Sequence, residues 1–325
     1  MKKILILSLI VLFVFAGCVP QIHLDFLGRD KLKEVVLIKS NVKEKILLID
    51  VEGIISTSSD SGIFEREADI LTRVYNRLEK AAEDREVKGV ILRLDTPGGE
   101  VTASDIIYNE ILEFKKKTKL PVVGLMMGVA ASGGYYIASA CDYLIAHPST
   151  LTGSIGVISM FPNLEELFRK IGVRVNVVKS GTMKDSGSFM REMTEDERKV
   201  FQSIIDEYYK KFLERVYMNR KEYISMEELE KIADGRVYPA SQALELKLID
   251  EIGYFDAALK KALSLASLRQ AKVIAYTYFP KRKTNIYSSG SKVYPLLEKK
   301  GTSWEELVPL LKSGFYYLWL PEINE

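Results

Sequence analysis

The residues best suited to chemistry in this chain lie in Gly128-Val129-Ala130-Ala131-Ser132-Gly133-Gly134-Tyr135-Tyr136. An apolar run, Val122 to Met127, leads to Gly128 and then to a serine among small residues, after which Tyr135 to Ala140 resume helical spacing. The pattern predicts a strand, a tight turn and a helix start, with the Ser132 hydroxyl free of the strand ladder. The amides of Gly133 and Gly134 would open that helix, where N–H groups without intrahelical partners favour a developing oxyanion. A nucleophile is one reading of these residues. A small-residue helix start packed against a sheet is the other.

Three more loops carry small or reactive residues: Gly98-Gly99, Ser154, and Lys179 to Lys184. The chain has two histidines, His23 and His147, so a histidine-based mechanism or a nitrogen-rich metal site has little to draw on. The activator available to Ser132 is a lysine. A lysine base must be neutral, which from an ordinary pKa of about 10.4 requires burial. Spacing does not separate Lys179 from Lys184. Ser154 could hold the lysine amine, and Gly98 and Gly99 could bring backbone N–H groups to a substrate carbonyl because no Cβ blocks the approach.

The elements that must position these loops read as an α/β domain with mostly parallel pairing. Val35 to Ile38 and Ile46 to Val51 are expected to form a hairpin, and Gly53 to Gly62 a loop. A helix is expected over Asp69 to Ala82, where Ile70, Val74 and Leu78 recur on one face, and a buried strand over Gly89 to Leu94. The next helix, Thr102 to Lys117, has Thr102 or Ser104 as caps and turns Ile106, Ile107, Ile111 and Leu112 inward. Short strands at Tyr143 to Ala146 and Val173 to Val178 flank a helix at Leu164 to Ile171. Thr194-Glu195-Asp196-Glu197 then starts a long helix with the acidic first turn that the helix dipole favours. Shorter helices follow near Met226, Ser241 and Phe255, and Val273 to Phe279 alternates like an edge strand.

At the other end, Lys2 and Lys3 precede an unbroken apolar run, Ile4 to Ala16, and Gly17-Cys18. This reads as an export signal, and Phe15-Ala16-Gly17-Cys18 resembles the lipobox of bacterial lipoproteins, with Cys18 as the lipid attachment residue. An uncleaved anchor is the alternative, although the run is short of the roughly twenty residues that span a bilayer. Either way the body of the protein is expected at the cell membrane, on the extracytoplasmic face. The second cysteine, Cys141, sits in unlike surroundings and is expected to be a small buried hydrophobe. A net charge of +2 gives no support for a nucleic-acid partner.

Taken together, Asp95-Thr96-Pro97-Gly98-Gly99, Ala131-Ser132-Gly133-Gly134-Tyr135-Tyr136, Gly153-Ser154-Ile155-Gly156-Val157 and Lys179-Ser180-Gly181 with Lys184-Asp185 resemble the signal peptide peptidase A (SppA) family of Ser-Lys proteases in its short, single-repeat form. The resemblance implies an α/β, Clp-protease/crotonase-like fold with repeated strand-strand-helix units and a helical C-terminal part. It implies Ser132 as nucleophile and Lys184, the lysine preceding aspartate, as base. Gly99 and Gly133 would form the oxyanion hole, Ser154 would position Lys184, and no cofactor or metal would be needed. It further implies a homo-oligomer whose active sites are shared between protomers, acting on peptides such as remnant signal peptides. The chain would then divide into a signal segment (1–18), a tether and first strand (19–45), a protease domain (46–270), and a C-terminal strand, linker and amphipathic tail (271–325).

Competing readings are a crotonase-type acyl-CoA hydratase, disfavoured by the export signal, a Clp-related membrane-protein protease with the same dyad, and a non-catalytic scaffold lipoprotein.

Overall fold

Three apolar runs, Ile46 to Ile49, Val90 to Leu92 and Val122 to Met126, form neighbouring parallel strands of one central sheet. Runs apolar at every position, rather than at alternate ones, suit strands covered on both faces. Leu47, Ile49, Leu92 and Met126 face one core; Ile46, Leu48, Ile91, Val123 and Leu125 face the other.

The protein is described here by a computed structural model covering residues 32–57, 61–62, 65–66, 69–278, 280–281, 283–288 and 315–319. The signal segment, Cys18 and His23 lie outside the described residues. The strands are β1 (Lys33–Ile38), β2 (Lys45–Glu52), β3 (Ser61–Gly62), β4 (Glu65–Arg66), β5 (Val87–Thr96), β6 (Gly98–Glu100), β7 (Val122–Ala131), β8 (Tyr143–Ala146), β9 (Leu151–Gly153), β10 (Ile158–Ser159), β11 (Val237–Pro239), β12 (Glu251–Ile252), β13 (Lys272–Thr277) and β14 (Phe315–Leu318). The helices are α1 (Ile70–Glu83), α2 (Val101–Thr118), α3 (Gly133–Ala138), α4 (Glu165–Lys170), α5 (Glu195–Arg220), α6 (Met226–Ile232), α7 (Ala240–Glu245) and α8 (Phe255–Leu265).

The main sheet runs β1-β13-β2-β5-β7-β8-β12, parallel throughout except for β1. The expected hairpin of the first two strands is not there: β13 inserts between β1 and β2, pairing antiparallel with one and parallel with the other. The C-terminal strand is therefore internal and not an edge, which its buried Val273 to Thr277 reflects. Helices α1, α2, α3 and α5 cover one face, and α8 packs its Phe255, Ala258 and Ala262 on the other.

Helix α1 starts on the Asp69 side chain, which accepts from the Thr72 amide at 2.8 Å, and it buries Ile70, Val74, Leu78 and Ala81 as its periodicity requires. Helix α2 begins one residue earlier than expected, on Glu100, without a side-chain cap; the Ser104 hydroxyl instead donates back to the Glu100 carbonyl. Ile106, expected to face inward, is exposed, and Ile107 and Ile111 carry that face.

The strand that matters most for the site is β7. Its first half pairs with β8 through Val123 to Met126, and its last three residues, Val129 to Ala131, leave β8 and pair with β9. Strand β9 in turn pairs with β11. The sheet is thus extended at the upper end of β7, just where Ser132 follows. The segment Val173 to Val178 is not a strand: all six residues are exposed and none pairs. Its alternating valines have the strand pattern but meet no ladder partner among the described residues.

Candidate active site

Ser132 caps α3 at the end of β7 with φ 51° and ψ −115°, a conformation costly for a residue with a side chain. Two backbone bonds hold it there: its N–H donates to the Gly153 carbonyl at 2.8 Å and its carbonyl accepts from the Tyr136 amide at 2.8 Å. The residue is buried, and its hydroxyl makes no hydrogen bond among the described residues. The turn therefore spends backbone strain to present one unengaged hydroxyl at a helix start. Gly133 is the first residue of α3, with its N–H in the orphan region of the helix.

Gly98 and Gly99 form β6 beside it. Gly98 sits at φ 102°, and a Cβ there would lie 2.7 Å from the Gly133 nitrogen. A Cβ on Gly99 would lie 1.9 Å from the Ile55 carbonyl oxygen, so no side chain fits. Ile55 donates to the Gly98 carbonyl and accepts from the Glu100 amide. Strand alternation then turns the Gly99 N–H to the opposite edge, away from Ile55.

That opposite edge carries β14, the one described part of the tail beyond residue 288. Phe315–Leu318 runs antiparallel to Gly98–Glu100 with Tyr317 opposite Gly99, and its other edge pairs with β10. The Trp319 amide continues the ladder to the Pro97 carbonyl at 2.9 Å. Tyr317 is fully buried: its ring stacks on Tyr136 at 5.0 Å, lies 4.7 Å from the Phe212 ring, and its hydroxyl donates to the Tyr208 carbonyl at 3.0 Å. The Tyr317 carbonyl oxygen is packed against Gly98 and Gly133. Burial pushes the Tyr317 and Tyr136 phenols up, so both remain neutral donors. An extended segment thus lies on the edge next to Ser132, its carbonyl beside the two glycines.

Ser154 lies on the next strand end, buried, at φ 49°, with its N–H donating to the Arg236 carbonyl at 2.8 Å and its hydroxyl without a hydrogen bond among the described residues. Gly153, whose carbonyl holds the Ser132 N–H, precedes it, so Ser132 and Ser154 are tied through adjacent strand ends.

The two lysines are placed differently. Lys179 donates to the Thr182 carbonyl at 2.9 Å and to the Asp185 carboxylate at 2.6 Å. The Lys184 amine makes no hydrogen bond or ion pair among the described residues and is exposed. No hydrogen bond joins Ser132 and Lys184 within the protomer; every residue from Ile171 to Lys184 is exposed, including Val175 and Val177.

The loop that bears Lys184 is nevertheless well tied. Arg191 takes both oxygens of Asp185, Nε to one at 3.0 Å and Nη2 to the other at 2.7 Å, and it also grips both oxygens of Glu197. Arg191 first, then Lys179, holds the Asp185 carboxyl well below the usual carboxylate range. Arg191 likewise holds Glu197 down at about 2, helped by the Thr194 amide. The network of Asp185, Arg191 and Glu197 is not legible in sequence, where Glu197 reads only as part of an acidic first turn; the structure shows it closing a capping box with Thr194.

The remaining sequence candidates lie elsewhere. His147 follows β8, contacts Ser149 at 2.8 Å, and lines a cavity of about 260 Å³ with Arg93, Met127, Tyr254 and Tyr287, apart from Ser132. Cys141 is a free, fully buried thiol that burial pushes up to about 12, as an inert core residue. Among the described residues there is no cluster of metal-ligating side chains, and no helix is long and apolar enough to cross a membrane.

Comparison with known proteins agrees with this architecture. A family model described as Clp protease matches residues 62–151, and one described as peptidase family S49 matches residues 114–269. An Enterococcus faecium protein provisionally named signal peptide peptidase SppA is 34% identical over 294 residues, 89% of this chain and 83% of that one. A provisionally named protease of Methanocaldococcus jannaschii is 34% identical over 282 residues, 85% of this chain and 87% of its own length. Protease 4 of Haemophilus influenzae is 39% identical over 231 residues, 71% of this chain but 36% of the longer relative. The fold is the Clp/crotonase-like α/β fold, here in the form used by serine peptidases. The chain belongs to peptidase family S49.

Proposed function

We propose that this serine peptidase is a membrane-associated endopeptidase that cleaves extended peptides, remnant signal peptides among them, with Ser132 as nucleophile and Lys184 of a neighbouring copy as general base. The observation that carries the reading is the strained, buried turn at Ser132 beside an edge that already accommodates an extended chain. The name of the Enterococcus faecium relative supports the substrate class.

In this mechanism the peptide lies along the Gly98–Glu100 edge as an added strand. The Ser132 oxygen bonds to the scissile carbonyl carbon while its proton passes to the neutral Lys184 amine. The carbonyl oxygen, now negative, accepts from the Gly99 and Gly133 N–H groups. Collapse breaks the C–N bond, and the lysine ammonium returns its proton to the leaving amine. A water then attacks the acyl carbon and gives a proton to Lys184; the ester C–O bond breaks, and the Ser132 oxygen leaves with that proton, restoring both groups. The unengaged hydroxyl of Ser154 would receive a hydrogen bond from the incoming amine and fix its direction.

Two features support a base supplied by a second copy. Lys184 has no partner among the described residues, and the arm that carries it exposes Leu167, Ile171, Val175, Val177 and Val178. A face of this kind is stable in water when it is covered, and the protomer whose Ser132 lacks a base is the partner it suits. Membrane attachment rests on the N-terminal segment, through a lipidated Cys18 or an uncleaved anchor.

Replacing Ser132 or Lys184 by Ala should each lower peptide cleavage by roughly 10³-fold or more with circular dichroism unchanged. A fluorophosphonate probe should label wild type and not Ser132→Ala. Wild-type cleavage rates in Lys184→Ala would sink the dyad.

A further inference from the structure

The Lys184 loop contains an aspartate directly beside the proposed base, which is an unfavourable neighbour. A free carboxylate within reach of a lysine amine favours the ammonium and raises its pKa, by about 1–3 units at close approach. A base that must be neutral to act would be weakened by it.

The carboxylate of Asp185 is not free. One oxygen accepts from Lys179 at 2.6 Å and from Arg191 at 2.7 Å, and the other accepts from Arg191 at 3.0 Å. Arg191 also takes the Asp185 carbonyl at 3.2 Å and the Glu192 carbonyl at 2.9 Å. Its other anchor is the almost wholly buried Glu197 on α5, whose carboxylate also accepts from the Thr194 amide at 2.8 Å. Glu165 of α4 closes the loop from the far side by accepting from the Glu192 amide at 3.1 Å. The charged groups around Asp185 are thus Lys179 and Arg191 from its own loop, with Glu197 from α5 and Glu165 from α4 beyond them. The four central charges, Lys179, Asp185, Arg191 and Glu197, sum to zero.

We infer that Arg191 is a positioning residue for the base: it occupies the Asp185 carboxylate on behalf of Lys184, leaving that amine unpaired, and it anchors the loop to the start of α5. The arrangement also separates the two lysines. Lys179 is committed to neutralising Asp185, and Lys184 alone is left to reach outward. This inference rests on the assignment of Lys184 as base.

The test is the pH profile of kcat/KM for a peptide substrate, measured on the full-length protein. In Arg191→Met the Asp185 carboxylate keeps only Lys179 and Glu197 loses its cation, so the loop carries one net negative charge beside Lys184, and the midpoint of the acid limb should rise by about one unit. The rate deficit should be about tenfold on that limb and shrink as the pH rises. Arg191→Lys, which keeps a cation on Asp185, should stay closer to wild type. The double variant Arg191→Met/Asp185→Asn, lacking the carboxylate, should return the midpoint to within about 0.3 unit of wild type. A merely structural arginine gives a different result: a deficit equal at every pH, with the midpoint fixed and no recovery in the double variant, and that result overturns the inference. If Arg191→Met does not fold by circular dichroism, Arg191→Gln, which keeps a polar side chain at the same place without the cation, should move the midpoint in the same direction, and an unmoved midpoint there is equally fatal. Lys184→Ala is run alongside. Full activity in that variant removes the base assignment itself, an outcome distinct from an unshifted Arg191→Met.

Discussion

At Gly99 the constraint is steric before it is chemical. A methyl group there meets the Ile55 carbonyl at 1.9 Å, and the nearest atoms are all Ile55 backbone, with nothing flexible to give way. Gly99→Ala must therefore push β6 away from Ile55, moving the N–H proposed for the oxyanion. The expected result is a fall in kcat on the order of 10²-fold, as for loss of one oxyanion donor, together with a lower Tm. A kcat within about twofold of wild type would remove Gly99 from the site. The residues of this turn were legible in sequence because their signal is local: small residues between an apolar run and a helix, with two glycines beside a serine. Arg191 was not legible. Its partners lie six residues away on either side, and only the folded loop shows that one guanidinium holds both carboxylates. The choice between Lys179 and Lys184 is equally closed to spacing and rests on the family resemblance; to it the structure adds that Asp185 accepts from Lys179.

Among the elements, what local pattern could not supply was partner identity. Alternating valines at 173, 175 and 177 have strand character, but a strand needs an edge to pair with, and they pair with none among the described residues. The apparent hairpin of β1 and β2 failed for the converse reason: a strand more than two hundred residues later takes the place between them. Helix α5 starts where its acidic first turn predicts, and the structure adds the cap, in which Thr194 and Glu197 satisfy each other across one turn. Its stability should depend on pH in a defined direction. Glu197 is held at about 2 against an ordinary 4.5, so its contribution is complete above about 4.5 and is lost as the pH falls through 2. Hydrogen exchange at the first turn of α5 should accelerate over that window in wild type, and Glu197→Gln should exchange faster at neutral pH and respond less to acid. Strand β14 was unexpected, because a tail segment of mixed aromatic residues has no period that announces an edge. It lies on the edge where a peptide is proposed to bind, so the two compete. A chain ending at residue 310 should show a KM several-fold lower with kcat little changed. An unchanged KM with a lower Tm would make β14 a structural strand of the fold.

For the whole molecule, the question is whether one protomer is a complete enzyme. The core is complete: the two clusters on either side of the main sheet are closed, and the ion pair of Arg220 with Asp250 at 2.6 Å ties α5 to the segment before β12. The arm from α4 to Lys184 is not, since it buries no residue of its own. On the proposed mechanism the exposed apolar arm that bears Lys184 would complete its site by assembly, and complementation tests that directly. Ser132→Ala keeps its lysine and Lys184→Ala keeps its serine, so each inactive variant retains what the other lacks. If every site takes its serine from one copy and its lysine from the next, co-assembling equal amounts should restore about a quarter of wild-type activity, the fraction of junctions that pair an intact serine with an intact lysine. If both groups came from the same protomer, no junction would be whole, and the mixture would remain as inactive as its parts. Adding Val175→Asp and Val177→Asp to the serine variant charges the arm that must dock, and it should abolish the recovery while leaving the Tm of the protomer near that of wild type. Recovery that survives the charged arm would place the shared contact elsewhere on the surface.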